Sequence, residues 1–265
     1  MDKKNYLSRG EQEIYHLIKH KSGGIISNNE IKSLFPRIRK IKINKICSSL
    51  LKKGYLYKLS KGLYLIQEDP GKPLIANQYK IALSLFNGYI GFSSALKIYG
   101  LLEYEPFTIY IATREKSREK SIGQYTFKAV SMGKRAVGET FYEGIYISTI
   151  EKTFFDCFYK PQYASYADLA KAIYLNKGCN WRILIGYFDS FASDSLCQRS
   201  GYIFDILKKE TKLGIPDKFI NYLKGRIKNK SRLVPKGKSK GIYYKEWKLM
   251  DNLGKDNILS WWKHG

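Results

Sequence analysis

Ile43, Ile46, Cys47, Leu50 and Leu51 recur at i, i+3, i+4, i+7 and i+8, a spacing that sets apolar side chains in one stripe along an α-helix. The other side of the same turns carries Lys42, Lys45, Ser48, Ser49 and Lys52, with Asn44 on the flank. Such a helix is stable only where neighbours cover its stripe, and the flanking residues supply them. Ser8-Arg9-Gly10-Glu11 has the S-x-x-E spacing in which a hydroxyl and a carboxylate satisfy the free N–H groups of a helix start. A first helix is expected from there to about residue 20. Ser27-Asn28-Asn29-Glu30 repeats the signal and opens a short second helix, which stops at Phe35-Pro36 because proline disfavours helical backbone in the residue before it. The third, striped helix ends at Lys52-Lys53-Gly54, where glycine can take the left-handed cap. Residues 55–58 and 63–66 then read as two strands around Leu59-Ser60-Lys61-Gly62.

Helix, short helix, basic helix and hairpin, in that order, predict a winged helix-turn-helix over residues 1–67. Arg39, Lys42, Asn44, Lys45, Ser48, Ser49 and Lys52 would lie in or beside the reading helix, and Lys58, Ser60 and Lys61 in the wing. Long cations reach phosphates, while short side chains allow close approach to base edges. Asn44 and Ser48 are therefore expected to touch bases and the lysines to set the register. Taken alone, the same face would serve as the solvated side of a lysine-rich helix, and a winged helix can also dock protein. The charge tips the balance. The chain holds 47 Lys+Arg against 23 Asp+Glu, a net +24, and residues 1–67 alone hold 15 against 4. Such an excess repels itself unless it meets a polyanion, with double-stranded DNA the first expectation and an anionic membrane surface the second.

Other classes are disfavoured. No apolar run is long enough to span a bilayer, and the charged start at residues 1–4 is followed by no apolar stretch of a secretory signal. Cys47, Cys157, Cys179 and Cys197 form no C-x-x-C pair and sit among apolar residues. They read as buried small hydrophobes in a reducing, cytoplasmic compartment, with no metal site expected. Of His16, His20 and His264, His16 falls in the helical pattern of Ile14, Leu17 and Ile18 and reads as structural.

Gln67-Glu68-Asp69-Pro70-Gly71-Lys72-Pro73 breaks the pattern, placing a linker at 68–73 and a second domain at 74–265. There, helices are expected at 74–86 and 93–99, strands at 108–112, 124–130 and 144–147, and helices at 149–158, 165–175, 181–191, 195–211 and 216–224. Strands in one block and helices in the next give an α+β class: a winged helix-turn-helix followed by a larger mixed domain with a small sheet and several helices.

Several segments resemble a known family. Residues 51–64, from Leu51-Lys-Lys-Gly-Tyr-Leu to Lys61-Gly-Leu-Tyr64, are similar to the winged helix of AbiEi-type antitoxins. Ser93-Ser-Ala-Leu96 with Tyr99-Gly-Leu-Leu102 resembles that family's "SALxxxGL" segment, and the strand Ile109-Tyr-Ile-Ala-Thr113 follows. Ser148-Thr-Ile-Glu-Lys-Thr153 with Asp156 resembles "xxEKTLxD". Gln198-Arg-Ser-Gly-Tyr-Ile203 resembles the "RLGY" helix, and Trp247-Lys-Leu-Met-Asp-Asn252 the closing "WxLxxN" strand. The likeness runs in order over residues 5–253. Ser200 stands where Leu is usual, and Phe154-Phe155 where smaller aliphatics are usual; both are packing positions. The resemblance implies the antitoxin of a type IV toxin–antitoxin operon, a transcriptional regulator that binds inverted repeats in its own promoter and represses it. It further implies a nucleotidyltransferase-like toxin as functional partner, not necessarily bound stably, and an antitoxin activity carried by the C-terminal domain with its basic face.

Residues 218–245 hold ten basic residues and no acid: Lys218, Lys224, Arg226, Lys228, Lys230, Arg232, Lys236, Lys238, Lys240 and Lys245. With Gly225, Pro235, Gly237 and Gly241 interspersed, the stretch reads partly as loop. Lys224, Arg226, Lys228, Lys230, Arg232, Lys236, Lys238 and Lys240 form a candidate second contact to DNA or an RNA backbone. A solvated basic loop is the alternative.

Catalysis is not expected. Pro216-Asp217 with Glu246-Trp247-Lys248 fits the loose PD…ExK spacing of Mg²⁺-dependent nucleases, but Asp217 falls at a helix start, which favours an acid anyway. Asp194 reads as a helix cap and Glu151-Lys152 as a surface or domain-interface pair. No G-x-x-x-x-G-K-[ST], G-x-S-x-G or H-E-x-x-H occurs, and no cofactor is expected. A purely structural interaction module, served by 22 Tyr and 13 Phe, remains as a third class.

Overall fold

A computed structural model describes residues 6–21, 24–70, 77–238 and 240–263. Residues 1–4, part 71–73 of the expected linker, the 74–76 start of the expected helix and His264 lie outside the described residues. The fold is mixed α+β. The chain forms two compact units, residues 1–87 with 120–127, and residues 88–119 with 128–265. The sequence break at 68–73 thus precedes the structural division, which falls after Asn87.

The first unit runs α1 (Arg9–Lys21), β1 (Ile25–Ser27), α2 (Asn28–Leu34), α3 (Lys40–Lys52), β2 (Leu56–Ser60), β3 (Leu63–Ile66) and α4 (Gln78–Leu85). Both capping signals act: the Ser8 N–H donates to Glu11 Oε2 (2.6 Å), and the Ser27 and Glu30 side chains cap each other's backbone. β1, too short to stand out in the sequence, pairs antiparallel with β3, giving the order β1-β3-β2. The stripe of α3 turns inward as its period demands: Ile43, Cys47 and Leu50 are fully buried with Ile14, Ile18, Ile31 and Leu56, while Ile46 and Leu51 pack at the edge. The β2–β3 turn is tighter than read, only Lys61-Gly62, because β2 runs on to Ser60 past an irregularity at Lys58–Ser60. Gly62 (φ +73°) supplies the left-handed backbone this turn needs. His16 is exposed, its ring edge-on to Tyr15.

Residues 89–148 are built on a six-stranded sheet ordered β6-β7-β5-β4-β9-β8, twice the strand count read from the sequence; residues 120–127, in β6 and β7, cluster with the first unit. In chain order its parts are β4 (Tyr89–Ile90), α5 (Phe92–Ile98), β5 (Thr108–Thr113), β6 (Arg118–Ile122), β7 (Tyr125–Ser131), β8 (Glu139–Tyr142) and β9 (Ile145–Ser148). β4 lies between β5, antiparallel, and β9, parallel. β8 and β9 close over Glu143 (φ +47°) and Gly144 (φ +82°), a two-residue turn with both residues left-handed.

Helices α6 (Ile150–Tyr159), α7 (Tyr166–Leu175), α8 (Trp181–Phe191), α9 (Asp194–Thr211) and α10 (Asp217–Gly225) follow. Phe154, Phe155, Phe158, Phe188, Phe204 and Phe219 meet in one core, each worth ~1.5–3 kcal/mol on full burial. The chain ends with a small sheet, β10 (Ser231–Arg232), β11 (Ile242–Tyr244) and β12 (Leu249–Asp251), ordered β10-β12-β11, and the short helices α11 (Lys255–Ile258) and α12 (Ser260–Lys263).

Gln198 on α9 fastens this sheet: its Nε2 donates to the carbonyls of Trp247 (2.6 Å) and Lys248 (2.9 Å), and its Oε1 accepts from Ser231 Oγ (2.5 Å). Trp247 lies so close to Gly201 that a Cβ there would stand 2.2 Å from the indole, and Trp247 Nε1 donates to Asp205 Oδ2 (2.9 Å). Glu151 and Lys152 do not pair at the surface as expected. Glu151 Oε1 accepts from the Asn180 N–H (2.8 Å), and the fully buried Lys152 pairs with the equally buried Asp156. At spacing i, i+4 both fall on the helix side turned into the core. Burial pushes Asp156 up and Lys152 down from their ordinary values. Asp194 is not the cap of α9: Ser193 Oγ accepts from the Leu196 N–H, and Asp194 is the first helical residue. The cap goes to the hydroxyl because Ser193 has the extended backbone that a cap requires.

Candidate nucleic-acid interface

Along α3, burying the stripe leaves the other side to solvent. Lys42, Asn44, Lys45, Ser48 and Lys52 are all exposed, as is Arg39 at the residue before the helix. Asn44, Lys45, Ser48, Ser49 and Lys52 line one open concavity of about 460 Å³ together with Ile41. Ile41 is 71% exposed. The only signal for it in the sequence is an isoleucine lying off the apolar stripe. Two polar groups are pre-set by hydrogen bonds. Asn44 Oδ1 accepts from Asn28 Nδ2 on α2 (3.3 Å), and Ser48 Oγ donates to the Asn44 carbonyl (2.9 Å). With its proton used inside the helix, the Ser48 hydroxyl faces outward as an acceptor.

Ser49 differs from the others. It is half-buried, and its hydroxyl serves Glu11 on α1. Lys53 Nζ reaches the same carboxylate at 2.7 Å. Burial pushes Glu11 upward, but the hydrogen bonds from Lys53, Ser49 and Ser8 outweigh it and hold the carboxyl at about 2. This cluster ties the end of α3 to the start of α1, so Ser49 belongs to the helix packing as much as to the open face.

In the β2–β3 hairpin, Lys58 and Lys61 are exposed and Ser60 half-buried. The Asn28 N–H donates to the Gly62 carbonyl (2.7 Å), which sets the hairpin turn against the start of α2. The Lys120 ammonium, on the 120–127 segment of the same unit, donates to the Leu59 carbonyl.

The second basic region divides. Lys224, Arg226 and Lys228 are not part of a free loop. Lys224 stands 3.5 Å from Glu246 and over the Trp247 ring. Arg226 donates to Tyr222 Oη (3.1 Å) and the Ala192 carbonyl (3.3 Å), beside Asp194 (3.6 Å) and Asp189 (3.8 Å). Lys228 reaches Asp194 at 3.2 Å. These acids come from α8, the start of α9 and residue 246, none of which a count over 218–245 includes. Among the described residues, Lys230, Arg232, Lys236, Lys238 and Lys240 make no ion pair with a carboxylate. Parts of the stretch are also helix and sheet, with α10 running to Gly225, Arg232 in β10 and residues 242–244 in β11.

The two PD…ExK carboxylates are each engaged by lysine: Asp217 with Lys208 (2.6 Å), Glu246 with Lys209 (3.4 Å) and Lys224. Lys248 donates to the Lys228 carbonyl (3.3 Å). Among the described residues, no three His, Cys, Asp or Glu side chains gather as metal ligands would. All four cysteines are free thiols, Cys179 only half-buried, and burial raises the pKa of each. No described helix is long and apolar enough to cross a membrane.

No family model matches the chain, and no curated protein matches it. Among solved structures, the crystal structure of the RV2827C protein from Mycobacterium tuberculosis is similar, with a TM-score of 0.72 over 98% of this chain and 96% of that one, at 15% identity. At that identity the likeness establishes a shared mixed α+β fold and nothing about activity.

Proposed function

We propose that residues 1–67 form a winged helix-turn-helix that binds double-stranded DNA, and that the chain is a cytoplasmic, non-catalytic transcriptional regulator. One observation carries the reading: α3 buries its apolar stripe and presents Lys42, Asn44, Lys45, Ser48 and Lys52 on a single open face, flanked by Arg39. The cations hold phosphates and fix register; Asn44 and Ser48 read base edges, and Ile41 offers an apolar contact to a thymine methyl. Lys58 and Lys61 reach the backbone beside the groove.

The resemblance over residues 5–253 extends the proposal. The target is an inverted repeat in the chain's own promoter, the effect is repression, and the second unit acts as the antitoxin against a nucleotidyltransferase-like toxin. The residues that carry this resemblance in the second unit, Lys152, Asp156, Gln198, Gly201 and Trp247, hold the unit's packing together. They support likeness of fold rather than a contact to a partner.

A gel shift with the DNA just upstream of the gene tests the reading. Asn44→Ala should lose ~1–3 kcal/mol of the parent's preference for operator over random duplex, with its affinity for random duplex little changed. Equal preference in parent and variant would remove Asn44 from the readout. Co-expression with the neighbouring reading frame tests the antitoxin half: growth should be restored by the full chain.

A further inference from the structure

We propose that the second unit carries a nucleotide-binding cleft, separate from the α3 face, between the first turns of α9 and the small sheet β10-β12-β11. The cleft has a volume of about 720 Å³ and is lined by Arg199, Lys230, Arg232, Tyr243 and Met250, among others. Its floor follows from strand register. Met250 on β12 pairs with Arg232 on β10 and with Tyr243 on β11. Residues directly opposite across a sheet share a face, so a cation, a thioether and an aromatic ring form one row. The next pair of positions, with Leu249 buried, faces the other way. Arg199 projects from the second turn of α9, where its Nε donates to the Ser195 carbonyl (3.2 Å).

Three cations meet here, and among the described residues no carboxylate lines the cleft. Of the acids next to lining residues in sequence, Asp194 is neutralised by Arg226 and Lys228, and Asp251, beside Met250, is buried with its carboxylate accepting from Tyr202 Oη (2.8 Å) and the Leu253 and Gly254 N–H groups. Like charges held together without a counter-charge repel one another, and a bound anion relieves that cost. The rest of the lining selects the kind of anion. Tyr243 is 43% exposed, with the Lys230 ammonium 5.6 Å over its ring; Met250 and Pro235 extend the apolar surface. A wall that places an aromatic face beside cations fits a base next to its phosphate. The volume lies within the ~300–1,000 Å³ of small-ligand sites. Duplex DNA does not satisfy it, because its base faces are stacked inside and only base edges and phosphates are offered. The ligand chemistry is therefore a phosphorylated nucleotide with an accessible base, either free or as one unit of a single strand.

The full-length chain is titrated calorimetrically with the four nucleoside triphosphates, a short oligo-uridine RNA and inorganic tripolyphosphate, each variant being checked for an unchanged thermal melt. Saturable binding of a nucleotide or of the RNA is expected, competitive between the two. The tighter of them identifies the source. Arg199→Gln and Arg232→Gln should each weaken binding at least ~10-fold, as expected for loss of one charge-assisted phosphate contact. Tyr243→Leu should weaken nucleotide or RNA and leave tripolyphosphate unchanged. No binding by any nucleotide or RNA, tripolyphosphate binding as tightly as the nucleotides, or indifference to both arginine substitutions overturns the proposal. The site is independent of the α3 reading. Lys45→Gln with Lys52→Gln should leave nucleotide titrations untouched while altering the operator gel shift, so the two can fail separately.

Discussion

Replacing Lys45 and Lys52 together with glutamine removes two of the six exposed cations proposed to face DNA: Arg39, Lys42, Lys45, Lys52, Lys58 and Lys61. If each cation displaces one counterion from a duplex, the parent's log–log salt slope is about −5.4 per protomer and the variant's about −3.6. Raising salt from about 50 to 200 mM should then weaken the parent roughly 1,800-fold but the double variant only about 150-fold. Both side chains are exposed and lack ion pairs among the described residues, so the thermal melt should hold. Fluorescence anisotropy on a labelled operator duplex at four or more salt concentrations measures the slope directly. A second double variant, Lys177→Gln with Lys218→Gln, makes the same change in net charge on exposed residues of the other unit. It should keep the parent's slope. If the α3 variant also keeps it, or if both variants flatten it equally, then α3 does not lie against phosphates and the affinity is a diffuse effect of net charge.

Three further outcomes follow from the packing. Glu11 has its carboxyl held at about 2, below the ordinary 4.5. Its stabilising contribution is therefore complete above about pH 4.5 and is lost as pH falls toward 2; Glu11→Gln should cost roughly 2–3 kcal/mol in urea unfolding near neutrality, and a deficit that stays constant down to pH 2 would contradict the assignment. Lys152→Met alone leaves Asp156 buried without its counter-charge, a cost of ~3–5 kcal/mol, whereas Lys152→Met with Asp156→Leu should recover most of it; equal unfolding midpoints for the single and double variants would show that the two groups are uncoupled. Gly201→Ala places a methyl within 2.2 Å of the Trp247 ring, a strain of ~1–3 kcal/mol that should lower the melting temperature, and an unchanged melt would mean that Trp247 moves freely.

The resemblance segments illustrate how recognisable residues and functional residues part company. Gln198, Gly201 and Trp247 stand out in the sequence, yet they staple α9 to the small sheet through hydrogen bonds and a close approach. The cleft beside them is assembled from residues with no motif at all. Lys230, Arg232, Tyr243 and Met250 are spread over 21 positions and become neighbours only when β10 and β11 flank β12.

Local physics determined the helices and hairpin of residues 9–66. Caps, the proline stop and the apolar stripe act within one or two helical turns, so α1, α2, α3 and the hairpin, and the side of α3 that faces water, were legible from residue order. Tertiary structure alone decided the rest. β1, β4 and β10 have two or three residues each and owe their existence to partners far along the chain. Composition cannot tell that Lys152 is buried against Asp156, or that Arg226 is consumed by Asp189 and Asp194 while Arg232 has no carboxylate partner among the described residues. A charge's role depends on which opposite charges the fold brings within a few ångströms, and sequence separation does not encode that distance.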